Sequence, residues 1–327
     1  MSVLRGLYIA LVAISVLIVL GWLVFQLFIK PPSIETPPPA ESTAPVVTAP
    51  VESTTPTPPP PPTPERKGDW YQTFLLLGTD DGNGNADTIM VVSFDTKNSK
   101  VGVISIPRDT LVDEPRKVKK INGAYGIGGV QELKEEVSEL VGFPVDHTIK
   151  VDLAAFVDLV NELGGVDFYV PCDMFHNDGA GFIIDLKEGQ QTLDGNKALQ
   201  LVRYRGYASA DLGRIQTQQR FLTAMAKKTL KASNLGKINE FANIFNRYVE
   251  TDLSITDIIY FASQALYLDF SDDVTFATLP GNGEVHYDGV MYYYQLYPQQ
   301  TLELFNRLIN PYTTDLTMDM VEIYQVQ

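Results

Sequence analysis

The sequence predicts an α/β domain, and three observations carry the prediction. From residue 72 onward, short apolar or alternating runs rich in β-branched residues take turns with longer runs of helical periodicity, the pattern of helices packed on a sheet. Residues 31–67 hold 14 of the 21 prolines and no apolar periodicity, so the core must be built after them. The 260 residues from 68 to 327 suffice for one sizeable core.

Gln72–Gly78, Thr88–Phe94 and Val101–Ile106 read as three strands of one sheet, bounded by Gly, Asn, Asp or Pro. Val130–Val141 carries apolar residues at helical spacing. A strand is expected near Thr148–Val151, then a helix over Leu153–Leu163 closed by Gly164-Gly165, then a strand at Val166–Val170. After Asp194 helices dominate: Asp194–Arg203, Asp211–Ala232, Ile238–Tyr248 and Thr256–Leu266. A strand at Val274–Leu279 and a helix at Gln299–Asn310 complete the pattern. No internal repeat or second linker interrupts it, so one domain is expected over 68–312, with 313–327 as a tail.

Leu7–Ile29 is 23 residues without a charge. At about 1.5 Å per residue it spans roughly 34 Å as a helix, enough to cross a bilayer. A cleaved signal peptide would have a shorter apolar core and a small-residue cleavage site, whereas Phe28-Ile29-Lys30-Pro31-Pro32 follows here. A retained transmembrane helix within 1–30 is therefore expected, touching the lipid bilayer through residues 7–29. Arg5 before the run and Lys30 after it leave its orientation undecided by charge. Residues 31–67 are expected to form an extended Pro-rich stalk, reaching on the order of 110 Å in polyproline II.

Charge and motifs exclude several functions. The formal net charge of −15 falls entirely after residue 67, which argues against general nucleic-acid binding. One cysteine, Cys172, rules out intrachain disulfides and Cys-based zinc sites, and it reads as a small buried residue ahead of a nucleophile. His147, His176 and His286 are scattered, and no H-E-x-x-H, G-x-S-x-G or P-loop motif appears, which disfavours zincins, nucleophile-elbow hydrolases and P-loop NTPases. The acidic loop from Asp81 is no EF-hand, because Ala86 and Val92 stand where that loop needs Gly and Glu.

Two features remain. Asp80 and Asp87 flank a hairpin-like connection; they are either ordinary turn residues or two hard oxygen ligands for Mg2+, which completes its shell with substrate phosphate and water. Arg203, Arg205, Arg214 and Arg220 lie within 18 residues that contain one carboxylate, Asp211. Arg214, Gln218 and Phe221 share a helix face, and Arg108 follows a strand through Pro107. Converging guanidinium groups match phosphate oxygens, so they read as a pyrophosphate clamp; the alternative is that each pairs with a separate carboxylate. Tyr292-Tyr293-Tyr294 reads as strand-edge packing or as a sugar-stacking surface.

These pieces resemble the LytR-CpsA-Psr family of bacterial cell-envelope proteins. The resemblance runs through Leu75-Leu76-Leu77-Gly78-Thr79-Asp80, Ala86-Asp87-Thr88-Ile89-Met90, Ser105-Ile106-Pro107-Arg108-Asp109-Thr110 and Lys120-Ile121-Asn122-Gly123-Ala124-Tyr125. It continues through Gly128-Gly129, Leu163-Gly164-Gly165-Val166, Leu193-Asp194-Gly195-Asn196-Lys197-Ala198-Leu199, Val202-Arg203-Tyr204-Arg205 and Asp211-Leu212-Gly213-Arg214. It implies a three-layer α/β/α sandwich around a mixed central sheet, outside the membrane of a bacterium, with an apolar pocket for a polyprenyl chain. It also implies transfer of a glycopolymer, such as teichoic acid or a capsular polymer, from undecaprenyl pyrophosphate to peptidoglycan through a phosphodiester. By motif, Asp80 and Asp87 match the Mg2+ ligands, Arg108, Arg203, Arg205, Arg214 and Gln218 match the pyrophosphate clamp, and Asp211 orients the arginines. Asp87, Asp109 and Asp211 are the candidates for general base. Asn85 and Thr217 stand where the family often has arginine, which keeps open a weaker transferase, a different donor or a non-catalytic lipid-pyrophosphate or glycan binder; the same site could also support a carrier pyrophosphate hydrolase with water as acceptor.

Overall fold

The computed structural model describes residues 30–34, 64–80, 85–177, 179, 181–207, 211–229, 243, 245–287 and 289–326. The apolar run Leu7–Ile29 and the stalk residues 35–63 lie outside them. Among the described residues no helix is long and apolar enough to cross a membrane.

The centre is a six-stranded sheet in the order β10-β3-β2-β1-β4-β9. Its strands are β1 (Tyr71–Asp80), β2 (Asn85–Asp95), β3 (Lys100–Ile106), β4 (His147–Asp152), β9 (Glu250–Thr251) and β10 (Val274–Thr278). β1, β2 and β3 form an antiparallel meander, while β4 joins β1 and β10 joins β3 in parallel, so the sheet is mixed. Alternation along β1 sends side chains to two covered faces. Leu75 and Leu77 enter a core with Leu133, Val137 and Leu140 of α1 (Gly123–Val141) and Leu302 and Phe305 of α6 (Pro298–Leu308). Phe74 enters a second core, with Phe94 and Ile258, Tyr260 and Phe261 of α5 (Ile255–Ala265). Each such large apolar side chain adds about 1.5–3 kcal/mol by leaving water.

A third core lies beyond the sheet's second face. It gathers residues of β5 (Val166–Val170), β6 (Met174–Asn177), β7 (Ile183–Leu186) and β8 (Gly189–Leu193) with α3 (Gly195–Arg203) and Phe221 of α4 (Asp211–Thr229). β5 pairs with β8, and β6 pairs with β7, as two-stranded antiparallel units. α2 (Leu153–Glu162) follows β4 directly, and Asp152 caps it by accepting from the Ala155 amide at 2.6 Å. Asp194 caps α3 in the same way, from the Lys197 amide at 2.9 Å. β11 (Gly281–Tyr287) and β12 (Val290–Leu296) form a hairpin before α6.

Several elements differ from the sequence reading. α1 begins at Gly123, seven residues before the expected helix, and turns through Gly129 at φ 70°, a conformation that glycine adopts freely. The helix-dominated carboxyl half also holds β9, β11 and β12. β11 reads GNGEVHY with most side chains exposed, so no buried face imprinted a period of two. Of the helix expected at Ile238–Tyr248, only residues 243 and 245–248 are described, and they are helical. Residues 313–326 return onto the body, where Leu316 and Val321 join the first core and the Glu322 amide donates to the Glu139 carbonyl at 3.0 Å.

The start of the domain is tied down at two points. Asp146, at the entrance to β4, accepts on one oxygen from Arg66, the Thr73 amide and the Thr73 hydroxyl, each at 2.8 Å. Residues 31–34, the beginning of the Pro-rich stretch, lie against the same end of the sheet. The Gln72 side chain, fully buried, donates from Nε2 to the Pro32 carbonyl at 2.9 Å, and the Ile34 backbone amide donates to Asp69 at 3.5 Å.

Candidate active site

One end of β1 opens into a cavity of about 870 Å3, in the range of small-molecule and cofactor sites. Its interior is apolar: Leu76 of β1, Phe156 and Leu159 of α2, Phe182 and Ile184 beside and in β7, and Phe221, Leu222 and Met225 of α4. Its mouth is charged, lined by Arg108, Arg203, Arg205 and Arg214 together with the carboxylates Asp87 and Asp152.

Local structure explains each of these positions. In the β1–β2 ladder Gly78 pairs with Thr88 and Thr79 with Ala86, so Asp87 is the extra residue of a β-bulge. A bulge re-aims a side chain; here Asp87 reaches the mouth, where its Oδ1 accepts from Arg108 Nη1 at 2.5 Å and Arg205 Nη2 at 3.5 Å. Arg108 stands in the turn after β3, closed by the Thr110 amide on the Pro107 carbonyl at 2.9 Å. Arg203 ends α3, the chain becomes extended at Tyr204, and Arg205 follows, so the two arginines flank a buried tyrosine. The Arg203 guanidinium lies 4.4 Å from the Phe182 ring centre, a cation–π contact that holds it at the lip. Along α4, Arg214, Gln218, Phe221, Leu222 and Met225 recur at i, i+4, i+7, i+8 and i+11, one helical stripe running from the charged mouth into the apolar interior.

Arg214 is buried to 2 % exposure and donates from Nη2 to the Asp87 carbonyl at 3.4 Å. A cation so placed has little water to solvate it, and its field is strong at the mouth. Gln218 bridges walls of the cavity, accepting from the Thr88 hydroxyl at 3.3 Å and donating to the Val202 carbonyl at 3.1 Å. Asp109 is not a lining residue. Its carboxylate lies 3.0 Å from Lys120 and 3.8 Å from Arg108, which makes it a brace for the arginine.

The structure therefore brings Asp87, Arg108, Arg203, Arg205, Arg214 and Gln218 to one cavity. The side chains of Asp80, Asn85 and Asp211 lie outside the described residues. Thr217 is 3 % exposed, its hydroxyl donating to the Gly213 carbonyl at 2.9 Å. Arg220, the fourth arginine of the cluster, is exposed and does not line the cavity. Six residues after Arg214 it points about 120° away around the helix. Sequence reasoning missed the hairpin β6–β7, which supplies Phe175, His176 and Ile184. Cys172 is half-buried in the third core, and burial, then the charges of Glu188 and Asp173, push its thiol up, away from nucleophilic use.

A Mg2+ ion would find in Asp87 a hard oxygen donor at the mouth, already shared with guanidinium groups. Among the described residues no three His, Cys, Asp or Glu side chains converge as a metal cage. This donor set fits an ion that takes most of its shell from phosphate and water.

A mixed sheet covered on both faces, with a cavity apolar inside and lined by arginines at its mouth, defines an α/β protein with an amphipathic pocket. The chain belongs to the LytR_cpsA_psr family, whose model matches residues 47–310. It is similar to the polyisoprenyl-teichoic acid–peptidoglycan teichoic acid transferase TagV of Bacillus subtilis, 34 % identical over 61 % of this chain and 54 % of that protein's length. To the TagU transferase of Bacillus cereus strain AH820 it is 33 % identical, over 68 % of this chain and 73 % of the relative. The crystal structure of B. subtilis TagV superposes with a TM-score of 0.64 at 28 % identity, over 72 % of this chain and 95 % of that one. TagT bound to LI-WTA gives 0.59 at 29 % identity, over 75 % and 91 %. The chain thus spans about half the length of one curated relative and about three quarters of the other.

Proposed function

We propose that this chain transfers an anionic glycopolymer, teichoic acid or capsule-like, from an undecaprenyl pyrophosphate carrier to peptidoglycan, leaving a phosphodiester. The observation that carries the reading is the continuity of one cavity, apolar along α4 and α2 and cationic at its mouth. Such a shape matches a lipid chain ending in a pyrophosphate. The names of the relatives, teichoic acid transferases, support the same chemistry.

In this reading a sugar hydroxyl of the acceptor attacks the glycan-bearing phosphorus. The new P–O bond forms as the bond to the bridging oxygen breaks, the lipid phosphate leaves, and the hydroxyl proton passes to a base. Negative charge grows on the phosphoryl oxygens and the leaving group, where Arg108, Arg203, Arg205 and Arg214 stand. Asp80 and Asp87 would hold Mg2+, which supplies further charge neutralisation at the phosphates. The carboxylates open as base are Asp87, which lines the mouth and is paired with Arg108, Asp109, which is engaged with Lys120, and Asp211. The protein is read as a single-pass protein of a bacterial cell membrane, anchored by residues 7–29 with its domain outside.

The test is phosphodiester formation by the full-length chain in detergent, with a polyprenyl-pyrophosphate oligosaccharide and peptidoglycan fragments. Product that disappears with a chelator and returns with Mg2+ is expected. Donor binding without product across several glycans would make the chain a binder, the reading favoured by Thr217 being buried and uncharged. Lipid phosphate released without polymer on peptidoglycan would make it a hydrolase. Arg220→Ala is expected to leave the rate unchanged, because that side chain lies outside the cavity; a large loss would show that the mouth extends further along α4.

A further inference from the structure

The three consecutive tyrosines of β12 are not used alike. Tyr293 is fully buried and its hydroxyl accepts from the Lys119 amide at 3.0 Å, while the Tyr294 hydroxyl donates to the Leu279 carbonyl at 2.9 Å. Tyr292 is 58 % exposed, and its ring meets the exposed His286 edge-on at 5.7 Å. Its backbone is also strained, with φ at 64°, in the left-handed region that costs a tyrosine free energy and glycine almost none. From Val290 to Tyr293, β12 takes one residue more than β11 takes between their partners, Tyr287 and Val285, so Tyr292 sits at a bulge. A strained residue that buries little of its ring is not explained by stability.

Its place in the fold supplies the explanation. The Tyr294 amide donates to the Asp109 carbonyl at 2.8 Å, and the Leu111 amide to the Tyr294 carbonyl at 2.9 Å, a parallel bridge of β12 to the segment that carries Arg108. The bridge thus joins β12 two residues beyond Tyr292 to the chain two residues beyond Arg108. Neither Tyr292 nor His286 lines the cavity, so the ring pair is left open to solvent on a strand tied to the segment that carries Arg108. Resting on the function proposed above, the cavity and its arginines are taken by the donor, and the attacking hydroxyl must arrive from outside, opposite the lipid leaving group. We propose that the Tyr292 ring, backed by His286, is a platform on which a pyranose ring of the acceptor glycan stacks through its apolar C–H face.

The test is binding, not turnover, so that it separates from the fate of the transferase reading. Full-length protein in detergent is titrated with short soluble glycan strands from peptidoglycan, and separately with a polyprenyl pyrophosphate bearing no glycan. Tyr292→Gly is expected to weaken glycan-strand binding about tenfold, the loss of one aromatic contact, with polyprenyl pyrophosphate binding unchanged. Its melting temperature should stay level or rise, since glycine relaxes the backbone. Tyr292→Phe is expected to keep glycan binding. Native-like glycan affinity in Tyr292→Gly would overturn the proposal, as would an equal loss of pyrophosphate binding, or lost binding with a lowered melting temperature. If native protein proves unable to transfer yet shows Tyr292-dependent glycan binding, the transferase reading falls and the platform stands.

Discussion

Replacing Arg108 with alanine is expected to lower the rate of phosphodiester formation by about 10²–10³, the usual cost of losing one donor aimed at developing charge. Two losses combine. The mouth loses a guanidinium whose fork matches phosphate oxygens, and Asp87 loses the cation 2.5 Å from its Oδ1. Arg205, at 3.5 Å and half exposed, is too far and too well solvated to replace it. The Asp87 carboxylate would then stand against the incoming phosphates with less compensation. Arg108→Lys is expected to recover only part of the rate, because an ammonium carries the charge without the planar fork. Melting temperatures of both variants should match the native protein, since Arg108 lies at the mouth and not within a core. A native rate in Arg108→Ala would remove this residue from the chemistry.

The second large effect falls on stability. Asp146→Ala is expected to cost about 3–5 kcal/mol, seen as a lower urea midpoint, because it breaks a buried ion pair by removing one partner. The Asp146 side chain is 6 % exposed and that of Arg66 15 %, so water replaces little of what is lost. The carboxylate also serves the amide and hydroxyl of Thr73, which is fully buried in the first strand, and these donors would be stranded. Replacing Asp146 with Asn keeps an acceptor while removing the charge, and it should fall between the two. An unchanged midpoint in the alanine variant would show that the ion pair contributes nothing net.

The parts of this molecule that could be read in advance are those where one face meets a core and the other does not. β1 to β3 and six helices announced themselves because burial enforces a period of two or 3.6. The stripe of α4 was legible from Arg214, Gln218 and Phe221, and the structure extends it to Leu222 and Met225. Other features leave no such imprint. β6 has one buried residue followed by three exposed ones, so nothing in Met174–Asn177 alternates, and the wall it builds with β7 went unseen. The bulge that turns Asp87 into the mouth is a matter of register between two strands, which a single sequence does not display. Arg220 shows the opposite error, since nearness along the chain suggested a role that the helix angle removes.

The contact of residues 31–34 with the first strand changes what the Pro-rich stretch does. If that stretch were a ruler, each added residue would lift the domain further from the apolar run that precedes it. Here residue 34 and residue 65 are held to the same body, one through Asp69 and the other through Thr313. Both ends of the stretch are thus fixed on one body, and the number of residues between them does not enter the distance from residue 34 to the domain. Insertion or deletion between those ends then carries a closure cost of about 0.6 kcal/mol per doubling of length. Length in that stretch can drift with little consequence for where residues 32–34 sit, which two hydrogen bonds set, one from the Gln72 side chain to the Pro32 carbonyl and one from the Ile34 amide to Asp69.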